Sequence, residues 1–210
     1  MKIVAAIVVS MMTATPVPAQ EDMPPRAEQV RLALSAAAPQ IRDAAGVLVL
    51  GGAGYQTERP SSNGFWCLLE RWKRAVVTPI CYDDVGSEST LLVVKYLETR
   101  RAAGAADSVI YAEIDAGYEA GRFQAPARWG VAYMLSPFGP PPPHVMYYAP
   151  HARNDDFGGA KGSARGLLPF IYDEGTPRAY IVQLVDRAAW EKLDPVAHHH
   201  SAAPAGDARR

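Results

Sequence analysis

Four short runs, "GVAYMLS", "HVMYYAP", "LLPFIYD" and "RAYIVQLV", crowd residues 130 to 185 and leave little room for helical crossovers between them. Each is rich in β-branched and aromatic residues and bounded by Pro or Gly, the pattern of strands set off by turns. The last two are joined by "EGTP", which makes them a hairpin. Two further β-type runs lie in "AGVLVLGGAGYQTERPSSNGFWCLLERW", separated by a Gly, Pro and Ser-rich connection that ends in the turn signal Asn63-Gly64. The helical periodicities lie elsewhere. In "RAEQVRLALSAAA", Val30, Leu34 and Ala37 recur at helical spacing and Pro39 ends the run. "SESTLLVVKYLETRRAAG" offers Ser87 or Ser89 as a cap, the stripe Leu92, Val93, Tyr96 and Leu97, and Gly104 as a stop. "ADSVIYAEIDAGYEAGRF" is capped by Asp107, stacks Ile110, Ile114 and Tyr118, and stops at Gly121. Strands grouped apart from helices predict an α+β fold, a mostly antiparallel sheet of about six strands with about three main helices.

The ends set the compartment and the domain. Met1 and Lys2 precede an apolar run from Ile3 to Met12, and Val17 and Ala19 stand at the small-x-small positions of a cleavage site. A cationic start, a short apolar stretch and such a site read as a secretory signal peptide over residues 1–19, removed after Ala19. The expected product is periplasmic or secreted, with no membrane insertion, because the run is shorter than the roughly 20 apolar residues a spanning helix needs. Residues 20–26 read as a flexible lead-in, 27–193 as a single domain, and 194–210, with His198, His199 and His200, as a disordered tail. A last short helix is expected between Asp186 and the tail, carrying Trp190. The net charge is only −1, with acids and bases interspersed, which argues against a nucleic-acid partner. Cys67 and Cys81 are the whole cysteine inventory. In an exported chain they predict one structural disulfide, since neither a Cys-x-x-Cys redox pair nor a thiol-rich metal site is present.

The segments "NGFWC", "PICYDDVGS", "AGRFQAP", "GVAYMLS", "PPHVMYYAP" and "DEGTPRAYIVQL" form an ordered set across residues 63 to 184. Together they resemble an uncharacterised family of exported bacterial proteins, whose pattern takes in Asn63, Gly64, Cys67, Gly121 to Pro126 and His144. The resemblance implies export and supplies no activity.

The densest polar chemistry lies in "PPPPHVMYYAPHARNDD". On a strand, His144, Met146 and Tyr148 face one way and Val145, Tyr147 and Ala149 the other. His144 and His151 would then stand about 20 Å apart, too far to share a metal unless the chain reverses at "APHA". One reading makes His144 a general base or ligand working with Glu70, Glu174, Asp155 or Asp156. The other gives it a hydrogen bond to a loop carbonyl and leaves His151 in solvent. The "NDD" at 154–156 lacks the spacing of a calcium loop, "GGAG" at 51–54 lacks the rest of a phosphate-binding motif, and no Gly-x-Ser-x-Gly elbow occurs. The chain therefore reads as a non-catalytic module without a cofactor or metal, binding a small molecule or an envelope component. Asn63, His144, Tyr148, His151, Asp155 and Asp156 are its candidate binding residues. The alternative is a metal-assisted or acid/base hydrolase centred on His144.

Overall fold

The computed structural model describes residues 23–72, 76–138, 142–156 and 168–185. The signal peptide and its cut, the glycine-rich loop beyond Asp156, the helix expected at Asp186 and the tail with its three histidines lie outside the described residues. Within them the fold is α+β, with one eight-stranded sheet and one disulfide.

The strands are β1 (Gly46–Gly51), β2 (Gly54–Arg59), β3 (Trp66–Trp72), β4 (Val76–Tyr82), β5 (Val131–Met134), β6 (His144–Tyr148), β7 (Phe170–Tyr172) and β8 (Tyr180–Leu184). Their order across the sheet is β2-β1-β3-β4-β5-β6-β8-β7. Every neighbouring pair is antiparallel except β1 and β3, which run parallel where Gly46 faces Trp66 and Val47 faces Cys67. Eight strands replace the expected six for two local reasons. "GGAG" turns a hairpin, with Gly54 at φ 115°, so the polar stretch after it is strand β2 and not a connection. β4 was hidden by Pro79, a residue that lacks the ladder N–H and rarely sits in a central strand; here it stands opposite Leu69 between two neighbouring strands.

The helices are α1 (Arg26–Ser35), α2 (Pro39–Arg42), α3 (Asp84–Glu88), α4 (Thr90–Ala102) and α5 (Asp107–Glu119). Pro39 does not simply end the first helix; it occupies the first turn of α2, where its missing N–H costs nothing. Capping also departs from expectation. Asp83 accepts from Gly86 N and caps α3, whereas Ser89 gives its hydroxyl to Val85 O, and Ala106 rather than Asp107 stands at the N-cap of α5. The glycine stops hold, with Gly104 at φ 82° and Gly121 at φ 72°.

Two apolar layers sandwich the sheet. On one side α1 lays the small residues Ala33, Ala36 and Ala37 against Val47, Val49, Leu69 and the disulfide. Of the expected stripe, Ala37 is buried in this layer and Val30 and Leu34 pack against it partly buried, with Ala33 and Ala36 added to its centre. The Cys81 sulfur comes within 3.6 Å of Ala33 O, a packing contact because a bridged sulfur has no proton to donate. Met23, in the expected lead-in, packs on this layer, and Pro24 O accepts from the buried Gln29 side chain. On the other side Leu91 and Val94 of α4 meet Leu48, Leu68, Ile80, Ala132 and Met146. The opposite stripe of α4, Val93 and Leu97, packs against Ile110 and Ile114 of α5. Of the expected stripe, Val93, Tyr96 and Leu97 do share this face, while Leu92 is exposed; the sheet-facing stripe of Leu91 and Val94 is the part that periodicity did not reveal.

Candidate functional site

Sheet register gathers tyrosines on the α4 side. Tyr148, Tyr180 and Tyr172 are consecutive partners across β6, β8 and β7, and therefore share one face in one row. The Tyr172 and Tyr180 rings stack at 5.3 Å with an interplanar angle of 25°. Tyr148 is only 5% exposed and Tyr82 3%, while Tyr172 at 39% and Tyr111 of α5 at 44% reach solvent. The electrostatic neighbour common to Tyr82, Tyr111, Tyr148 and Tyr180 is Glu70 on β3, whose carboxylate accepts a 2.9 Å hydrogen bond from the Tyr82 hydroxyl.

Burial pushes the Glu70 carboxyl above the usual range. The Tyr82 bond and the Arg101 charge pull it back in part, and Glu98 pushes it further up. Burial likewise raises Tyr82, Tyr148 and Tyr180, and the negative charge of Glu70 adds to each. A phenol that acts as base or nucleophile is normally lowered by a nearby cation. These hydroxyls are held protonated, which suits them to hydrogen bonding and to presenting ring faces.

Two hydroxyls beside this acid lack partners. Thr78 stands directly opposite Glu70 on the same face, 5% exposed, and its Oγ1 is buried without a hydrogen bond. The Tyr148 Oη is buried and unpartnered too. Buried hydroxyls are almost always bonded, so unpartnered ones in one region call for an explanation.

The other residues singled out in the sequence do not assemble with each other. Asn63 is spent on structure: its Oδ1 accepts from Phe65 N, its Nδ2 donates to Ile41 O at 2.8 Å, and Gly64 beside it has φ 84°. His144 is 5% exposed at the start of β6, flanked by Met134 and Leu184 on its face. Its Nδ1 lies 2.7 Å from Pro142 O, so that nitrogen carries the proton, and burial lowers the imidazole pKa. None of Glu70, Glu174, Asp155 or Asp156 bonds it. His151 lies beyond the other end of β6, exposed, with φ 65°, its backbone N donating to Thr176 O. The chain does turn at "APHA", through Ala152 N to Ala149 O. Among the described residues, however, no group of three or more His, Cys, Asp or Glu side chains stands together to hold a metal. Asp155 and Asp156 are exposed on a 3₁₀ turn with Asn154. Asn154 is the structural residue there: it gives and takes hydrogen bonds with the Ile171 backbone, pairing with β7 as a strand would, and its backbone N bonds Glu174. Of the predicted residues only Tyr148 belongs to the tyrosine row.

A separate cleft of about 390 Å³, lined by Met23, Pro25, Gln29, Leu50 and Gln56 among others, opens beside β1. Its polar groups are largely engaged: Arg26 pairs with Glu58, and the Gln29 amide bonds the Leu50 backbone in both directions. It offers less chemistry than the Glu70 site.

Among the described residues no helix is long and apolar enough to cross a membrane. Comparison with protein-family models, curated proteins and solved structures gives no match.

Proposed function

We propose that this is an exported, non-catalytic binding module that takes a small molecule, or a protruding group of an envelope component, at Glu70 and the tyrosines around it. The carrying observation is the gathering on one sheet face of a carboxyl, two unpartnered buried hydroxyls and tyrosine rings that run from buried Tyr148 to solvent-reaching Tyr172. Rigid aromatic surface with a few fixed polar groups is the usual makeup of a ligand site. The pairing of Cys67 with Cys81 and the signal-like N-terminus support the extracytoplasmic setting.

The competing hydrolase reading needs an imidazole able to exchange protons with a substrate. His144 is 5% exposed, committed through Nδ1 to Pro142 O, and without a carboxylate partner among the described residues.

The test is a fragment screen by ligand-observed NMR on the exported chain and on the Tyr111→Ala/Tyr172→Ala double variant. Hits lost in the variant, with its melt unchanged, are expected. Hits indifferent to both tyrosines would overturn the site. Reproducible turnover of a hydrolase substrate, abolished by His144→Ala without a change in folding, would overturn the non-catalytic reading.

A further inference from the structure

Among the described residues, the charged groups beside Glu70 pair with one another and not with Glu70. Arg71 donates to Glu98 Oε2 through Nε at 2.9 Å and through Nη2. Arg101 donates to Glu98 Oε1 at 2.7 Å and clasps Asp107 with Nε at 3.1 Å and Nη2 at 2.9 Å. Two guanidiniums thus meet two carboxylates in a network whose members Arg71, Glu98 and Arg101 are 5%, 1% and 1% exposed. Glu70 stands beside this network and outside it: its hydrogen bond comes from the neutral Tyr82, and among the described residues no cation pairs with it.

We propose that the site binds an organic cation, an ammonium group on an aromatic or hydrocarbon body, with its charge on the Glu70 carboxylate and its body against the tyrosine rings. The proposal rests on the binding-module reading and names the ligand class for the same site.

Three observations select a cation over other ligands. A half-buried carboxylate without a counter-ion is costly, and an ammonium removes that cost directly. An ammonium also brings up to three N–H donors that need acceptors; Glu70 supplies carboxylate oxygen, and the Thr78 and Tyr148 hydroxyl oxygens are unpartnered. Finally, the faces of tyrosine rings attract positive charge; Tyr111 and Tyr180 lie within the field of Glu70, and Tyr172 stacks on Tyr180. An anion would be repelled by Glu70. A neutral sugar would satisfy the hydroxyls and leave the carboxylate uncompensated. A divalent metal would find one carboxylate where it needs several oxygen ligands.

Four probes of one shape separate these cases: benzylamine, benzyltrimethylammonium, benzyl alcohol and benzoate, titrated calorimetrically into the exported chain. The two cations are expected to bind at least about tenfold more tightly than benzyl alcohol, a difference easily read from dissociation constants, and benzoate not at all. Benzylamine affinity should rise with pH as Glu70 loses its proton. Arg71, Glu98 and Arg101, and the hydroxyls of Tyr55, Tyr82, Tyr111, Tyr148 and Tyr180, also surround Glu70, so the same titration is run on Glu70→Gln, which keeps them all. In that variant the benzylamine advantage and its pH dependence should vanish, with a cooperative melt no lower than that of the wild type showing that the fold is intact. Benzyl alcohol binding as tightly as benzylamine, with both lost in Tyr111→Ala/Tyr172→Ala, would overturn the cation and leave the site standing. Binding by none of the probes overturns the cation proposal, and the fragment screen then decides the site separately.

Discussion

A Cβ placed on Gly86 would fall 1.9 Å from the Tyr148 hydroxyl oxygen and 2.8 Å from its Cζ. The backbone of α3 is therefore the wall against which the buried end of the tyrosine row rests. Gly130 forms a second wall, since a Cβ there would come within 3.0 Å of Tyr148 Cδ2 and 2.7 Å of Asp83 Oδ2. Gly86→Ala should destabilise the protein by about 1–3 kcal/mol, the usual cost of forcing extra volume into a packed interior. Tyr148→Phe in the same chain should restore part of that, because the nearer clash is with oxygen. The check is denaturant unfolding of the two single variants and the double, and strictly additive effects would remove Gly86 as the wall.

The disulfide joins directly opposed residues of β3 and β4, with Cα atoms 4.0 Å apart and a sequence separation of 14. A loop of that size gives about 3 kcal/mol of stabilisation in the chain-entropy account. Cys67→Ala/Cys81→Ala should lose about that much, without change of fold, since the β3–β4 ladder keeps the register. Alkylation of the exported protein without reductant should add no label by intact mass; two labelled thiols would mean the bridge does not form in the cell.

What could be read from the sequence was what is local. Gly104 and Gly121 stop their helices, Asn63-Gly64 turns, and the alternation of "HVMYY" put His144, Met146 and Tyr148 on one side, where all three are buried. The cysteine count foretold the bridge. What escaped depended on partners distant in the chain. Tyr148, Tyr180 and Tyr172 form a row only because of strand register, and no local spacing encodes that Tyr180 faces Tyr148 across 32 residues of chain. Glu70 was weighed only as a partner for His144, yet it bonds Tyr82, twelve residues on along the β3–β4 hairpin. The side-chain amides of Gln29 and Asn154 look like surface polarity in sequence and act as substitutes for strand backbone in space.

The buried ion network should respond unequally to the loss of its members. Arg101→Met leaves Asp107 without its clasp and Glu98 with Arg71 alone. Breaking a buried pair from one side is expected to cost about 3 kcal/mol or somewhat more. Adding Glu98→Gln, which removes the charge left short of partners, should recover part of the loss. Unfolding free energies of the two variants check this, and a double variant less stable than Arg101→Met would show that Arg71 alone compensates Glu98.

His144 gives the protein an acid-side weakness. Its folded pKa is lowered by burial, so below the free imidazole value of about 6.5 the unfolded chain takes up a proton that the folded chain refuses. Stability should fall as the pH drops through that value and level off once the pH is below the folded pKa. His144→Leu should flatten this part of the profile while losing the bond to Pro142 O. Measuring both chains from pH 8 to pH 5 decides it; parallel profiles would mean that some other group titrates.

Glu70 predicts the opposite slope. Its folded pKa is raised, first by burial, so the folded state holds that proton more tightly than the unfolded chain, whose free carboxyl titrates at about 4.3. The stabilisation from proton binding is complete below the unfolded value and is lost as the pH rises through the folded one. Ionising Glu70 as the pH rises therefore places on it a charge that burial disfavours and that, among the described residues, no paired cation meets. Glu70→Gln keeps an acceptor for the Tyr82 hydroxyl and removes the charge, so its advantage over wild type should be greater at pH 7 than at pH 4. A side chain that costs stability at working pH and is cheaply replaced by its neutral isostere is characteristic of a residue held for function rather than folding. Saturating benzylamine should erase the advantage at pH 7 by stabilising only the wild type, through binding to the folded state. Equal denaturant midpoints for the two chains at both pH values, without ligand, would show that Glu70 is solvated and would remove the charge imbalance on which the cation site depends.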